Sequence, residues 1–140
     1  MLQGIVVLAL LGAAAEKPLP RVEVNLTQKY LVAGCLDGTP IKSRVRRWKL
    51  EARPHAVSFT MGDDPARAGF ATVRFTPEVG HKYEIEVRAP TMSFPQRAWD
   101  RGTWKPVVRD RTADRIVTGE PQWSDTACTA AEASPAAPAP

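Results

Sequence analysis

The sequence predicts an all-β protein: a single small antiparallel β-sandwich-like domain, with an N-terminal signal segment before it and a disordered C-terminal tail after it. Apolar and polar residues alternate in five separate runs, which gives each extended segment one face for a core and one for water. Turn-forming glycines and prolines separate the runs, and none of the runs has the period of a four-turn amphipathic helix. The 140 residues suffice for one ordinary domain.

The chain begins with a segment typical of a secretory signal peptide. An apolar run at 5–11 is followed by small residues that end at Ala15. The run is far shorter than the roughly 20 residues of a membrane-spanning helix. Because Lys and Arg are absent before it, a buried N-terminal helix or strand is the alternative. We expect residues 1–15 to be removed, and the mature chain, without a transmembrane span, to be periplasmic or extracellular.

The alternating runs define most of the predicted domain, which spans residues 20–125. They predict strands at 22–26, 48–52, 55–61, 71–75 and 83–89. Shorter strands are expected at 105–109 and 115–117, which gives about seven strands in two stacked sheets. In the 55–61 run, Val57 and Phe59 are placed inward, and Ala56, Ser58 and Thr60 are placed on the wet face.

Three connections agree with short strands joined by turns. Asp37 and Gly38 predict a hairpin turn, and residues 61–69 form a polar loop. Gly80 permits a tight entry into the next strand. There, Tyr83 is expected to bury its ring while its hydroxyl reaches a backbone partner.

The two cysteines, Cys35 and Cys128, are expected to form one disulfide in an oxidising compartment. Two unpaired thiols are the alternative, because spacing alone does not establish proximity. Beyond Cys128 the residues are mainly Ala, Ser, Thr and Pro. They lack the apolar bulk that would offset the entropy of ordering, so residues 126–140 are interpreted as a disordered tail.

The sequence contains no motif for catalysis, for a cofactor or for a metal. His55 is in phase with an apolar strand face and is expected to be partly buried, whereas His81 follows a turn glycine and is expected to be exposed. The two cysteines and two histidines lack the close pairing of structural zinc ligands. We therefore predict no catalytic residue, no cofactor and no metal ligand.

Basic residues form the one pattern that points to a partner. The net charge is +4 and the isoelectric point is about 9.4. Aromatic and basic side chains alternate within segment 97–111, which predicts a possible binding surface for an acidic polymer. Its members are Arg97, Trp99, Arg101, Trp104 and Lys105. The alternative interpretation is core aromatics beside a solvated basic face.

The order of turns and strands resembles PEGA-like and carboxypeptidase-regulatory-like modules of exported bacterial proteins and lipoproteins. The matching pieces are residues 35–38, 53–59, 75–83 and 104–110. The chain departs from that pattern at Pro54, where a glycine is missing, and at 113–114, where Thr-Gly would stand. The resemblance implies a β-sandwich-like envelope protein with no catalytic residues to carry over.

These observations favour a non-catalytic module of the cell envelope that is structural or binds another envelope protein or an anionic polymer. One alternative is a carbohydrate- or acidic-polymer-binding module that uses segment 97–111. A small hydrolase that uses His55 or His81 is the second alternative. An exported protein has no expected nucleic-acid partner, and the sequence leaves the oligomeric state open.

Overall fold

A computed structural model describes residues 19–42, 44–89 and 99–128 and confirms the all-β prediction. Ten strands and one four-residue helix, α1 (Pro65–Ala68), make up the regular structure of these residues. The strands are β1 (Arg21–Leu26), β2 (Leu31–Leu36), β3 (Thr39–Pro40), β4 (Arg47–Glu51), β5 (His55–Met61), β6 (Phe70–Phe75), β7 (Tyr83–Arg88), β8 (Lys105–Asp110), β9 (Arg115–Ile116) and β10 (Gln122–Ser124). The predicted signal segment, residues 1–15, lies outside the described residues.

The strands form two five-stranded sheets. Sheet A has the order β4-β1-β7-β8-β9, and sheet B has the order β10-β6-β5-β2-β3. Neighbours are antiparallel except β1 and β7, which are parallel. Between β1 and β7 the chain forms β2, β3, β5 and β6 of sheet B and the edge strand β4 of sheet A, and this long connection allows β1 and β7 to be parallel. In the described ranges, no helix has the length and apolar character needed to cross a membrane.

The alternating side chains meet between the sheets as predicted. Trp48 of sheet A packs on Phe59 of sheet B with ring centroids 6.3 Å apart, and Phe75 packs on Tyr83 at 5.9 Å. Each of these strands therefore contributes one apolar face to a shared core. Other buried members include Val22, Val24, Leu26, Leu31, Leu50, Val57, Met61, Val73, Ile85 and Val108.

The predicted turns are also present. Asp37 and Gly38 both have positive φ, at 50° and 85°, as a two-residue hairpin between β2 and β3 requires. Gly80 has φ 85° at the entry to β7. Tyr83 is 2% exposed, and its hydroxyl accepts a hydrogen bond from the Glu78 N–H at 2.8 Å.

The prediction that one face of β5 is exposed to water is wrong. Ala56, Ser58 and Thr60 are buried, as are all the other residues of this strand. The C-terminal segment 124–128 lies across this outer face of sheet B, and the Ser58 hydroxyl donates a 2.5 Å hydrogen bond to the Ala127 carbonyl. The alternation of 55–61 thus reflects two buried faces of different polarity.

The segment is fastened by the predicted disulfide between Cys35 and Cys128, whose Cα atoms are 5.4 Å apart. A bulge in β2 makes the bond possible: Ala33 pairs with Phe59, but Cys35 pairs with Ser58 and so faces outward. Residues 126–128 therefore lie on the sheet, beyond the expected domain end at residue 125. The rest of the predicted tail lies outside the described residues.

The expected count of about seven strands omitted β2, β3 and β10. The strands β3 and β10 have only two and three residues, too few to show alternation. In β2 the bulge shifts the phase of the pattern. Gly34 lies at that bulge, where a Cβ atom would be 2.9 Å from the Phe70 ring.

Candidate functional site

An open cleft of about 320 Å³ lies at one end of the β7–β8 hairpin. Sheet A supplies the end of β7 and the start of β8, and β10 of sheet B supplies the facing wall. The cleft therefore lies at a seam between the two sheets. It is lined by Arg88, Ala89, Gly102, Thr103, Trp104, Lys105, Glu120 and Trp123.

Two tryptophans form the aromatic part of the cleft. Trp104 is 2% exposed, and its indole N–H donates a hydrogen bond to the Ala68 carbonyl at 3.3 Å. Trp123 is half-buried, and its ring meets that of Trp104 edge to face, with centroids 5.0 Å apart and planes at 83°. This arrangement is a favourable geometry for aromatic pairs. Trp104 thus holds Trp123 in place, and Trp123 offers the more accessible ring.

Charged side chains surround these rings. Arg88 and Lys105 are paired residues at the end of the β7–β8 ladder. The Lys105 ammonium lies 2.6 Å from the Glu120 carboxylate, and the Arg88 guanidinium lies 3.8 Å from the Glu86 carboxylate. Exposed ion pairs of this kind are worth about 0–1 kcal/mol. An anionic ligand can therefore replace either carboxylate at small cost.

Of the four described members of the predicted binding surface, two line the cleft and two do not. Trp104 and Lys105 line the cleft, but Trp99 packs on Tyr30 with ring centroids 4.7 Å apart. Arg101 donates to the Ser124 carbonyl at 3.1 Å and is paired with Asp125.

Arg97, the remaining member of the predicted surface, lies outside the described residues. Sequence reasoning missed Arg88 and Trp123, which come from outside segment 97–111. Trp123 lies outside the basic segment 97–111, and only the pairing of β10 with β6 places it at the seam.

His55, which was expected to be partly buried, is only 4% exposed. Its Nδ1 lies 2.5 Å from an Asp37 carboxylate oxygen and its Nε2 lies 2.8 Å from the Glu51 carbonyl. The other Asp37 oxygen accepts the Ala56 N–H. Both ring nitrogens contact oxygen atoms. The imidazole therefore has a structural role and holds the β2–β3 turn against β5.

His81 is half-buried rather than fully exposed, which corrects the expectation for this residue. Its Nδ1 lies 2.6 Å from a carboxylate oxygen of Asp110, a residue with no exposed surface. Burial by itself would raise the pKa of Asp110. The hydrogen bonds from the Ala113 N–H, the His81 ring and the Thr112 N–H outweigh burial, so the pKa of this carboxyl lies below its usual value.

Tyr83 stacks on His81, with ring centroids 6.3 Å apart. Burial raises the pKa of the Tyr83 hydroxyl, so it stays protonated and can donate as well as accept hydrogen bonds. In the described part of the chain, the hydrogen bonds of the His55 and His81 rings go to carboxylates and one carbonyl, and none goes to a Ser, Thr or Cys side chain. The arrangement of a nucleophile beside its base is thus not seen among these residues.

No protein-family model, no curated protein and no solved structure matches this chain. The resemblance to PEGA-like and carboxypeptidase-regulatory-like modules therefore stays a prediction. The site has to be interpreted from its own geometry.

Proposed function

We propose that this protein is an exported, non-catalytic β-sandwich module of the cell envelope that binds an anionic polysaccharide in the cleft beside Trp104 and Trp123. The observation that carries the proposal is the accessible Trp123 ring, fixed edge to face by Trp104, with Arg88 and Lys105 at the same rim. The envelope location is supported by the apolar N-terminal run and by the disulfide.

The chemistry of the cleft suits an acidic sugar. An indole face packs against the C–H surface of a sugar ring, and cations at the rim attract carboxylate or sulfate groups. The cleft is open, so a long polymer can pass through it without having to offer a chain end. Its volume is at the lower end of the roughly 300–1,000 Å³ of ligand cavities, which suits contact with a short stretch of polymer.

A non-catalytic role agrees with the titratable groups. His55 and His81 both lie at Asp carboxylates, away from the residues that line the cleft. Among the described residues that line the cleft, the titratable groups are two cations and one exposed carboxylate, Glu120. Glycoside hydrolysis ordinarily needs a pair of carboxyl groups across the scissile bond.

The test is isothermal titration of the full chain with alginate oligosaccharides, an anionic probe, and with cello-oligosaccharides of equal length, a neutral one. We expect saturable binding of the anionic probe only. Trp123→Ala should weaken it about tenfold through loss of the stacking ring. Lys105→Gln should weaken it about two- to fivefold, the worth of one exposed charge contact.

Two matched variants locate the site. Glu120→Gln removes the carboxylate that competes for Lys105 and should leave binding unchanged or tighter. Lys49→Gln removes an exposed cation from β4, at the far edge of sheet A, and should have no effect. Equal binding of the neutral probe, no heat with either probe, or an unchanged affinity in Trp123→Ala would each reject the proposal. Absence of heat would direct attention to an envelope protein as the partner.

A further inference from the structure

Three side chains with metal-ligating atoms converge at the opposite end of the β7–β8 hairpin from the cleft. They are Glu78 and His81 on the turn before β7, and Asp110 at the end of β8. The His81 Nδ1 lies 2.6 Å from an Asp110 oxygen and 3.6 Å from a Glu78 oxygen. The three ligand atoms all lie within 4.8 Å of one another.

We propose that Glu78, His81 and Asp110 form a binding site for one divalent transition metal ion of the zinc class. One imidazole nitrogen and two carboxylate oxygens are the donors, and water takes the fourth position. Imidazole nitrogen and carboxylate oxygen are both ligands that zinc accepts, whereas calcium and magnesium prefer oxygen ligands alone.

The spacing of the donors is close to what a metal needs. Zinc lies at 2.0–2.2 Å from nitrogen and oxygen ligands, so neighbouring donors in a tetrahedral site are about 3.3–3.5 Å apart. The distance between His81 and Glu78 already has this value within a few tenths of an ångström, and the distance between His81 and Asp110 has to widen. No neighbouring atom blocks this adjustment at Gly80, where a Cβ would have open space, and the adjacent Val79 is 59% exposed.

The surroundings orient the three donors. The second oxygen of Asp110 accepts the N–H groups of Thr112 and Ala113, which fixes the carboxylate plane and directs the first oxygen at His81. Tyr83 stacks on the imidazole and accepts the Glu78 N–H. Hydrogen bonds that hold ligands in place are a regular part of metal sites, and their loss usually costs tenfold or more in affinity.

Two cations compete with the metal. The first is the proton between His81 Nδ1 and Asp110, which has to leave Nδ1, for Nε2 or for solvent, when the metal binds there. The second is the Arg115 guanidinium, which lies 4.0 Å from the Glu78 carboxylate and is largely exposed. Removing Arg115 should therefore strengthen metal binding, an effect opposite in sign to removing a ligand.

The two cysteines and the second histidine are already engaged in other bonds. Cys35 and Cys128 are bonded to each other and offer no thiolate. The second histidine, His55, has both ring nitrogens engaged. Within residues 19–42, 44–89 and 99–128, zinc thus has one expected location, and the outcome of its test is independent of the polysaccharide cleft.

The test is isothermal titration of ZnCl₂ into the full oxidised chain after treatment with EDTA and removal of the chelator. We expect one zinc ion per chain and a shift of the His81 ring nitrogens, but not those of His55, in ¹⁵N NMR spectra. His81→Gln and Glu78→Gln should each weaken binding at least tenfold. Arg115→Gln should tighten binding about two- to fivefold, the worth of one exposed charge contact.

Asp114→Asn is the matched control, because this carboxylate lies nearby on the β8–β9 turn, is 88% exposed and is outside the cluster. It should bind zinc like the parent. Glu78 is 58% exposed, so Glu78→Gln keeps the test valid if His81→Gln does not fold. The proposal is overturned by absence of saturable zinc binding, by parental affinity in Glu78→Gln, or by equal affinity for CaCl₂.

Discussion

Arg46 and Arg109 of this basic chain make contacts that stabilise the fold. The Arg46 guanidinium donates to the carbonyls of Gln28, Lys29 and Leu31 at 2.6–3.3 Å and so closes the loop between β1 and β2. Arg109 links Glu86 across the β7–β8 ladder. Part of the positive charge that marks the sequence is therefore structural. The cations at the cleft rim lie instead in exposed ion pairs, which an anionic ligand can replace.

At the residue scale, Phe59→Ala and Ile85→Ala test the placement of the core. Both side chains are fully buried between the sheets, so truncation leaves a cavity. We expect each to lower the free energy of unfolding by about 2–5 kcal/mol, measured by urea denaturation. Val79→Ala, at an exposed apolar residue, should change it by less than about 0.5 kcal/mol. A change below that limit in Phe59→Ala would contradict its position between the sheets.

At the element scale, β5 is the centre of sheet B and is buried on both faces. Its inner face packs on sheet A, and its outer face is covered by the segment that ends in Cys128. The bulge at Gly34 makes this cover possible, because it turns Cys35 from the core face to the outer face. A three-residue strand, β10, and one covalent bond thus complete the sandwich.

The covalent part of this cover is tested by the double variant Cys35→Ala/Cys128→Ala. The bond joins residues 93 positions apart, so its loss should lower the free energy of unfolding by about 4 kcal/mol on the chain-entropy account. Ser58→Ala, which removes only the hydrogen bond to the same segment, should cost about 1 kcal/mol. Peptide mapping without reductant should find the two cysteines linked, and two freely alkylated thiols would refute the bond.

At the scale of the whole molecule, the β7–β8 hairpin organises both proposed sites. Its paired ends are Arg88 with Lys105 at the cleft and Tyr83 with Asp110 at the metal cluster. The hairpin is the centre of sheet A, between β1 and β9. A rigid central element gives both groups of side chains fixed positions, which a binding site requires.

Export is a property of the whole chain and has its own test. We expect the protein recovered from the envelope fraction to begin at Glu16, because the small residues at 13 and 15 fit a signal-peptidase site. Intact-mass measurement reads the new N-terminus directly. Ala13→Arg should block processing and leave the precursor uncleaved. An intact, soluble precursor of the unmodified chain in the cytosol would contradict export.

The sequence by itself determined the fold class, most strands and the turns at Gly38 and Gly80. These features depend on local rules: the two-residue period of a strand and the positive φ that glycine tolerates. The two cysteines predicted a disulfide, but only the fold brings these residues together across 93 positions. Only the tertiary structure decided that Ser58 is covered, that Trp123 meets Trp104 and that His81 reaches Asp110. Each of these contacts joins residues between 19 and 69 positions apart, and no local pattern encodes which distant segments meet.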